Sequence, residues 1–204
     1  MYVESNFLVG IVLGQEHSKE CGELLDLAKA SRIELVLPAF AIVEPMETLR
    51  RRREDLDDYG KRSKKWVREL ARMKAANLPE GIASELERAI NDATNSIFVH
   101  LVDLRSQLFA HGRILALDVA TLKKSQDLRD QAVLKDEKDA IMLAAVMLDL
   151  ASAPAPSIFV NLNSNDFATP EVESLLGPLQ CIVFSKPKDA LRRIGAGPPT
   201  PPAG

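Results

Sequence analysis

SIFVNLNSNDFATPEVESLLGPLQCIVF, residues 157–184, is the stretch on which the fold turns. SIFVNL is a short apolar run of the kind a strand buried on both faces requires, and QCIVF is a second. Between them TPEVESLLG places Thr169 where a helix N-cap stands and Pro170 in the first turn, where a missing N–H costs nothing. Two such strands joined through a helix read as parallel neighbours linked by a right-handed crossover.

The same alternation extends outward. Residues 1–4 are strand-like, and NFLVGIVLGQEHSKECGELLDLAKASR (6–32) has helical apolar spacing with a break expected at Gly14. IELVLPAF (33–40) is a β-rich run ended by Pro38. RILALD (113–118) is a third extended piece, VATLKKSQDLRDQAVL (119–134) is helical, and DEKDAIMLAAVMLDLASA (136–153) is a stronger helix closed by Pro154 and Pro156. Between 41 and 112 lie two long, charged helical segments that read as an antiparallel pair. Strand, helices, strand, helices, strand, helix, strand predicts an α/β fold with a parallel sheet of about four to five strands. The expected organisation is one domain over 1–190, with a helical elaboration at about 50–112, and a disordered Pro/Gly-rich tail at 191–204.

The 204 residues carry 26 Lys and Arg against 29 Asp and Glu, so no global positive charge draws the chain to nucleic acid and any basic patch must be local. Cys21 and Cys181 stand far apart, with no CxxC or Cys/His cluster, which excludes a sequence-visible disulfide framework or zinc site. No apolar run reaches bilayer length and no secretory leader is visible, so the expectation is a cytoplasmic protein without a membrane partner. GxGxxG and GxxxxGK[ST] are both absent, which argues against a nucleotide-binding loop.

Acids interrupt apolar surroundings at points that an α/β topology gathers along the carboxyl edge of the sheet, where ligands bind. Glu4 ends the first strand, Glu44 lies early in the helix after the second, Asp139 stands in the first turn of 136–153, and Asn163 and Asp166 follow the strand at 157. Converging carboxylates repel unless cations lie between them, and such oxygen donors suit Mg²⁺ or Mn²⁺. Bland readings stand beside these. Asp136 caps its helix, with Asp139 favouring the same helix N-terminus. Asn163, Asn165 and Asp166 suit a turn. Asn6 or Ser5 would cap a helix beginning at Phe7, and Pro45 fits a first helical turn.

On these residues the chain resembles the PIN-domain nucleases. Glu4, Ser5 and Asn6 match the acid, small residue and Asn that end the family's first strand, and Glu44 matches its second acid. Asp139 in DAIMLAA matches the third, and Asn161, Asn163, Asp166 and Phe167 match loosely the run after the next strand. The resemblance covers roughly residues 1–185. It implies a three-layer α/β/α fold, here with a long helical-pair insertion, and a metal-dependent endoribonuclease. Glu4, Glu44, Asp139 and Asn163 would be catalytic and, with Asp166, would hold Mg²⁺ or Mn²⁺, while Ser5, Asn6 and Asn161 shape the site. RNA is the implied substrate and an antitoxin-type protein the implied partner, while the long helical pair would suit a homodimer surface, a substrate platform or a lid.

Two positions depart from the pattern: Glu4 stands where Asp is usual, and Asn163 is neutral. They suggest one well-held metal and motivate an alternative, a catalytically weakened PIN-like module that binds RNA or protein. The dense basic run, Arg50, Arg51, Arg52 and Arg53 with Lys61, Arg62, Lys64, Lys65 and Trp66, is either an RNA contact or a solvated face whose Trp66 enters the core. His17, His100 and His111 sit on separate segments and read as ordinary surface or core residues.

Overall fold

The computed structural model describes residues 1–73, 81–152, 155–162 and 167–196. The chain divides into two compact units, Met1–Pro45 with Leu104–Gly204, and Met46–Asp103. The helices in chain order are α1 (Ser5–Leu13), α2 (Ser18–Lys29), α3 (Ala39–Arg72), α4 (Ile82–His111), α5 (Val119–Asp130), α6 (Glu137–Ser152), α7 (Pro170–Leu176) and α8 (Pro187–Gly195).

The first unit is built on five parallel strands, β1 (Tyr2–Val3), β2 (Leu35–Pro38), β3 (Gly112–Leu115), β4 (Ser157–Val160) and β5 (Cys181–Phe184), in the order β3-β2-β1-β4-β5. The stretch 157–184 forms the parallel pair its sequence predicts, with Ser157 opposite Cys181 and Val160 opposite Phe184. Tyr2 of β1 lies between Val36 and Phe159, so the shortest strand is the central one. From β1 the chain winds outward to β2 and β3, then returns to the other side of β1 as β4 and β5. The winding direction reverses between β1 and β4, and such a reversal opens a crevice at the carboxyl ends of the two strands.

Alternation along the strands divides the core. Tyr2, Val36 and Phe159 join one buried cluster with nearly every apolar side chain of α6, from Ala140 to Met147 and Leu150. A helix apolar on almost all sides must be buried, and α6 packs on α5 and β2. Phe159 meets Phe167 edge-to-face, ring centroids 5.4 Å apart. Elsewhere in the unit α1 packs on α2, and α2 on α8, which lies against β4 and β5. Cys21 and Cys181 are free and buried. Among the described residues no helix is long and apolar enough to cross a membrane.

Arg113 at the start of β3 ties together the sheet edge opposite the crevice. Its two terminal nitrogens each meet Asp149, near the end of α6, at 2.7 Å, and its Nε donates to Glu34 at 2.8 Å. The Tyr2 hydroxyl donates to the same Asp149 at 2.6 Å. The guanidinium holds the Asp149 carboxyl below its usual range. With the C-terminal end of α6 tied to β1, β2 and β3, the N-terminal end, which carries Asp139, has a fixed place at the other edge.

Local signals placed several helix ends where the sequence puts them. Gly14 terminates α1 in the left-handed region, φ 60°. Thr169 caps α7 through the Val172 amide, and Asp136 accepts from the amides of Lys138 and Asp139 at 2.8 and 3.4 Å. Three expectations need correction. The cap of α1 is Glu4, whose carboxylate accepts from the Asn6 amide, so neither the Asn6 nor the Ser5 side chain does this work. Pro45 is inside α3, which already begins at Ala39. The chain past 190 is still folded, because Pro187, Ala190, Leu191 and Ile194 form one apolar stripe that lets α8 run to Gly195. The rest of the expected tail, residues 197–204, lies outside the described residues.

The second unit contains the greater part of α3 and α4. Arg53 lies over the Phe98 ring, Gly60 faces Ile90, and Lys64 pairs with Glu87, so partners descend along α4 as they ascend along α3. That is the antiparallel pair the two periodic segments predict, and its part from Met46 to Asp103 forms the second compact unit.

Gly112 is the glycine that close packing requires. A Cβ there would stand 2.8 Å from the Leu108 carbonyl oxygen, a backbone atom that cannot swing away. At Gly22, inside α2, a Cβ would meet nothing within 4 Å. Urea denaturation should therefore show opposite signs: Gly112→Ala loses about 1–3 kcal/mol through overpacking, and Gly22→Ala gains about 0.5–1 kcal/mol.

Candidate metal and catalytic centre

Glu4 leaves β1 in extended conformation, φ −113° and ψ −179°, and turns the chain into α1. Its side chain is 1% exposed. One carboxylate oxygen accepts from the Asn6 amide at 2.7 Å, and the other accepts from the Leu162 amide at 3.2 Å. Leu162 follows β4, so this acid bridges the β1/β4 reversal point. Ser5, also buried, sets its hydroxyl 3.4 Å from Glu4 and donates its single proton to the closer acceptor, the Glu44 carboxylate. Ser5 thus links two of the sequence-selected acids.

Glu44 reaches this place from the first turns of α3 and is 19% exposed. Its counter-charge is Lys138, with Nζ 3.5 Å from the carboxylate. Asp139, in the first turn of α6, lies near enough to act on Glu4 through its charge. Burial pushes the Glu4 carboxyl up from an ordinary 4.5 to about 7. The two amides oppose that shift, and the negative charges of Glu44 and Asp139 add to it. Two of the acids chosen on sequence, Glu44 and Asp139, therefore act on the third, Glu4, in the folded unit.

Other sequence-selected residues fall differently. Asn161 is buried directly after β4, where its amide donates to the Phe184 carbonyl at 2.9 Å. Asn6 contributes its backbone amide, while its side chain is exposed. Asn163 and Asp166 lie outside the described residues. Arg50 to Arg53, Lys61, Arg62, Lys64, Lys65 and Trp66 belong to the second unit. The placement of Trp66 in the core is corrected: it is 65% exposed. Sequence reading missed Lys138 and the Leu162 amide. Lys138 had a signal, a cation directly before the third acid, whereas a backbone donor leaves no trace in side-chain chemistry.

Carboxylate oxygens are the donors Mg²⁺ and Mn²⁺ take, and a buried acid beside two more with one lysine is a charge set that a divalent ion would balance. In that respect the residues fit such an ion. Among the described residues, no group of three or more His, Cys, Asp or Glu side chains is arranged to hold a metal. Comparison with protein-family models, curated proteins and solved structures finds no match for the chain.

The Glu4 shift has a definite sign. Between pH 4.5 and about 7 the native state keeps a proton that the unfolded chain releases, so raising the pH through this window favours unfolding. The full effect is about 3 kcal/mol. In EDTA, urea denaturation should show stability falling from pH 4.5 to 7, with the fall flattened in Glu4→Gln. Glu44→Gln should reduce it only in part, since burial is the larger cause.

Proposed function

We propose that the chain is a metal-dependent endoribonuclease of the PIN type, in which Glu4, Glu44 and Asp139 hold Mg²⁺ or Mn²⁺ and Asn163 completes the set. The observation that carries this reading is the buried Glu4 at the β1/β4 reversal point, raised to about 7 by burial and by the charges of Glu44 and Asp139. The five-stranded parallel sheet in the order β3-β2-β1-β4-β5 supports the PIN likeness. A bound ion would supply charge neutralisation at a phosphate and activation of water for hydrolysis of the phosphodiester.

The chain's own residues have distinct parts in this reading. The Asn6 and Leu162 amides fix the direction of the Glu4 carboxylate. Ser5 holds Glu44 beside it. Lys138 balances the Glu44 charge, and beside a bound cation its ammonium group would be available to a phosphate. Crowded, partly desolvated acids keep the centre short of positive charge, which favours binding over leaving the acids ionised alone.

A second reading, a weakened PIN-like module that binds RNA or protein without cleaving, draws on the Lys138–Glu44 pair. A lysine already seated on a ligand competes with a metal. The two separate on Lys138→Met. In the nuclease reading this change tightens Mn²⁺ binding in calorimetry by about two- to fivefold, the worth of a half-exposed ion pair. Asp139→Asn and Glu44→Gln abolish both Mn²⁺ binding and RNA cleavage. Absence of Mn²⁺ binding in the parent chain and in Lys138→Met alike, with RNA still bound, selects the module.

A further inference from the structure

The basic helix of the second unit is not uniform. Arg50 is engaged along its own helix by Glu47 and Glu54, Arg53 covers the Phe98 ring, and Lys64 crosses to Glu87. The first part of the run, where the sequence is most basic, is thus partly spent on internal contacts.

Residues 59–73 differ. Tyr59, Trp66, Leu70 and Met73 recur at spacings of seven, four and three, which places them on one face of α3. Tyr59 and Trp66 are each 65% exposed, and Met73 is 57% exposed. Large aromatic side chains so open to water, in a helix whose Gly60 and Lys64 face α4, mark an interaction surface. The same segment carries six basic residues, Lys61, Arg62, Lys64, Lys65, Arg68 and Arg72, against one acid, Glu69. Arg62 borders the aromatic face, Lys65 and Arg72 lie about 100° round the helix from Trp66 and Met73, and all three are exposed and make no ion pair among the described residues. Asp55 and Asp58 sit with Tyr59 and Arg62 around a shallow groove, so negative charge limits the surface at its N-terminal end.

We infer that this face of α3 is a platform for single-stranded RNA, with bases stacked on Trp66 and Tyr59 and phosphates on Arg62, Lys65 and Arg72. Excess positive charge is complementary to a polyanion, and would repel a second copy of the same face. Exposed aromatic rings accept bases of any identity but are closed to bases already stacked inside a duplex. The two rings lie seven residues apart, about 10 Å along the helix axis, with Arg62 between them. The choice of RNA rests on the ribonuclease reading, but the surface belongs to the helical unit and needs none of the carboxylates.

Trp66 is the sole tryptophan of the chain, so its fluorescence reports on this face alone. The test is a titration of the full chain with a single-stranded RNA oligonucleotide and with its duplex. EDTA is present throughout, so that cleavage plays no part and a failure of the nuclease reading leaves the result legible. The expected result is saturable quenching of Trp66 by the single strand and weaker binding of the duplex. Trp66→Ala and Tyr59→Ala, followed by anisotropy of labelled RNA, should each weaken binding about tenfold, the scale of one base–aromatic stack. Trp66→Phe should restore part of the loss. Lys65→Gln should lower the steepness of the salt dependence by about 0.7. Equal affinity of the parent and both alanine variants overturns the inference, as does absence of RNA binding. So does a shift of Trp66 emission that grows with protein concentration without RNA, since it assigns the face to a second copy.

Discussion

The Glu4 carboxylate joins three parts of the chain through two amides. By accepting from Asn6 it starts α1, and by accepting from Leu162 it fastens the exit of β4 to the end of β1. β1 is two residues long and central in the sheet, so side-chain help at its end matters more than in a longer strand. At the other sheet edge Arg113 and Tyr2 hold Asp149, which fixes α6 and with it Asp139. Both edges are thus tied, one by Glu4 and the other by Asp149.

This arrangement has an electrostatic consequence. A buried carboxylate with two amide donors would ordinarily stay ionised, since hydrogen bonds favour the charged form. At Glu4 burial outweighs them, and Glu44 and Asp139 push in the same direction. Lys138 pairs with Glu44. Near neutrality the Glu4 carboxyl is therefore poised between keeping and losing its proton.

What the sequence made legible was mostly local. SIFV occurs twice, at 96–99 inside α4 and at 157–160 as β4. The flanks decide between them: helical apolar spacing surrounds the first, and Pro154, Pro156 and a following turn-and-helix signal bracket the second. Gly14, Thr169 and Asp136 work within a few residues of themselves, so their helix ends could be read directly. Glu4 as a cap was missed because serine and asparagine are better caps on intrinsic preference, and its second donor is supplied by Leu162, far along the chain. The Lys138–Glu44 pair and the exposure of Trp66 are likewise tertiary facts. That Glu44 and Asp139 come near enough to act on Glu4 follows from parallel strands bringing their carboxyl ends to one edge whatever the loops between them do.

In the proposed metal site Glu4 is a buried acid held at the edge of ionisation chiefly by burial, and a bound cation would favour its ionised form. Its side-chain carboxyl carbon can be followed by ¹³C NMR as pH is varied, first in EDTA and then with Mg²⁺. The account predicts a midpoint near 7 without the ion and a clear downward shift with it. A midpoint near 4.5 in EDTA, or one near 7 that Mg²⁺ leaves unmoved, would contradict it.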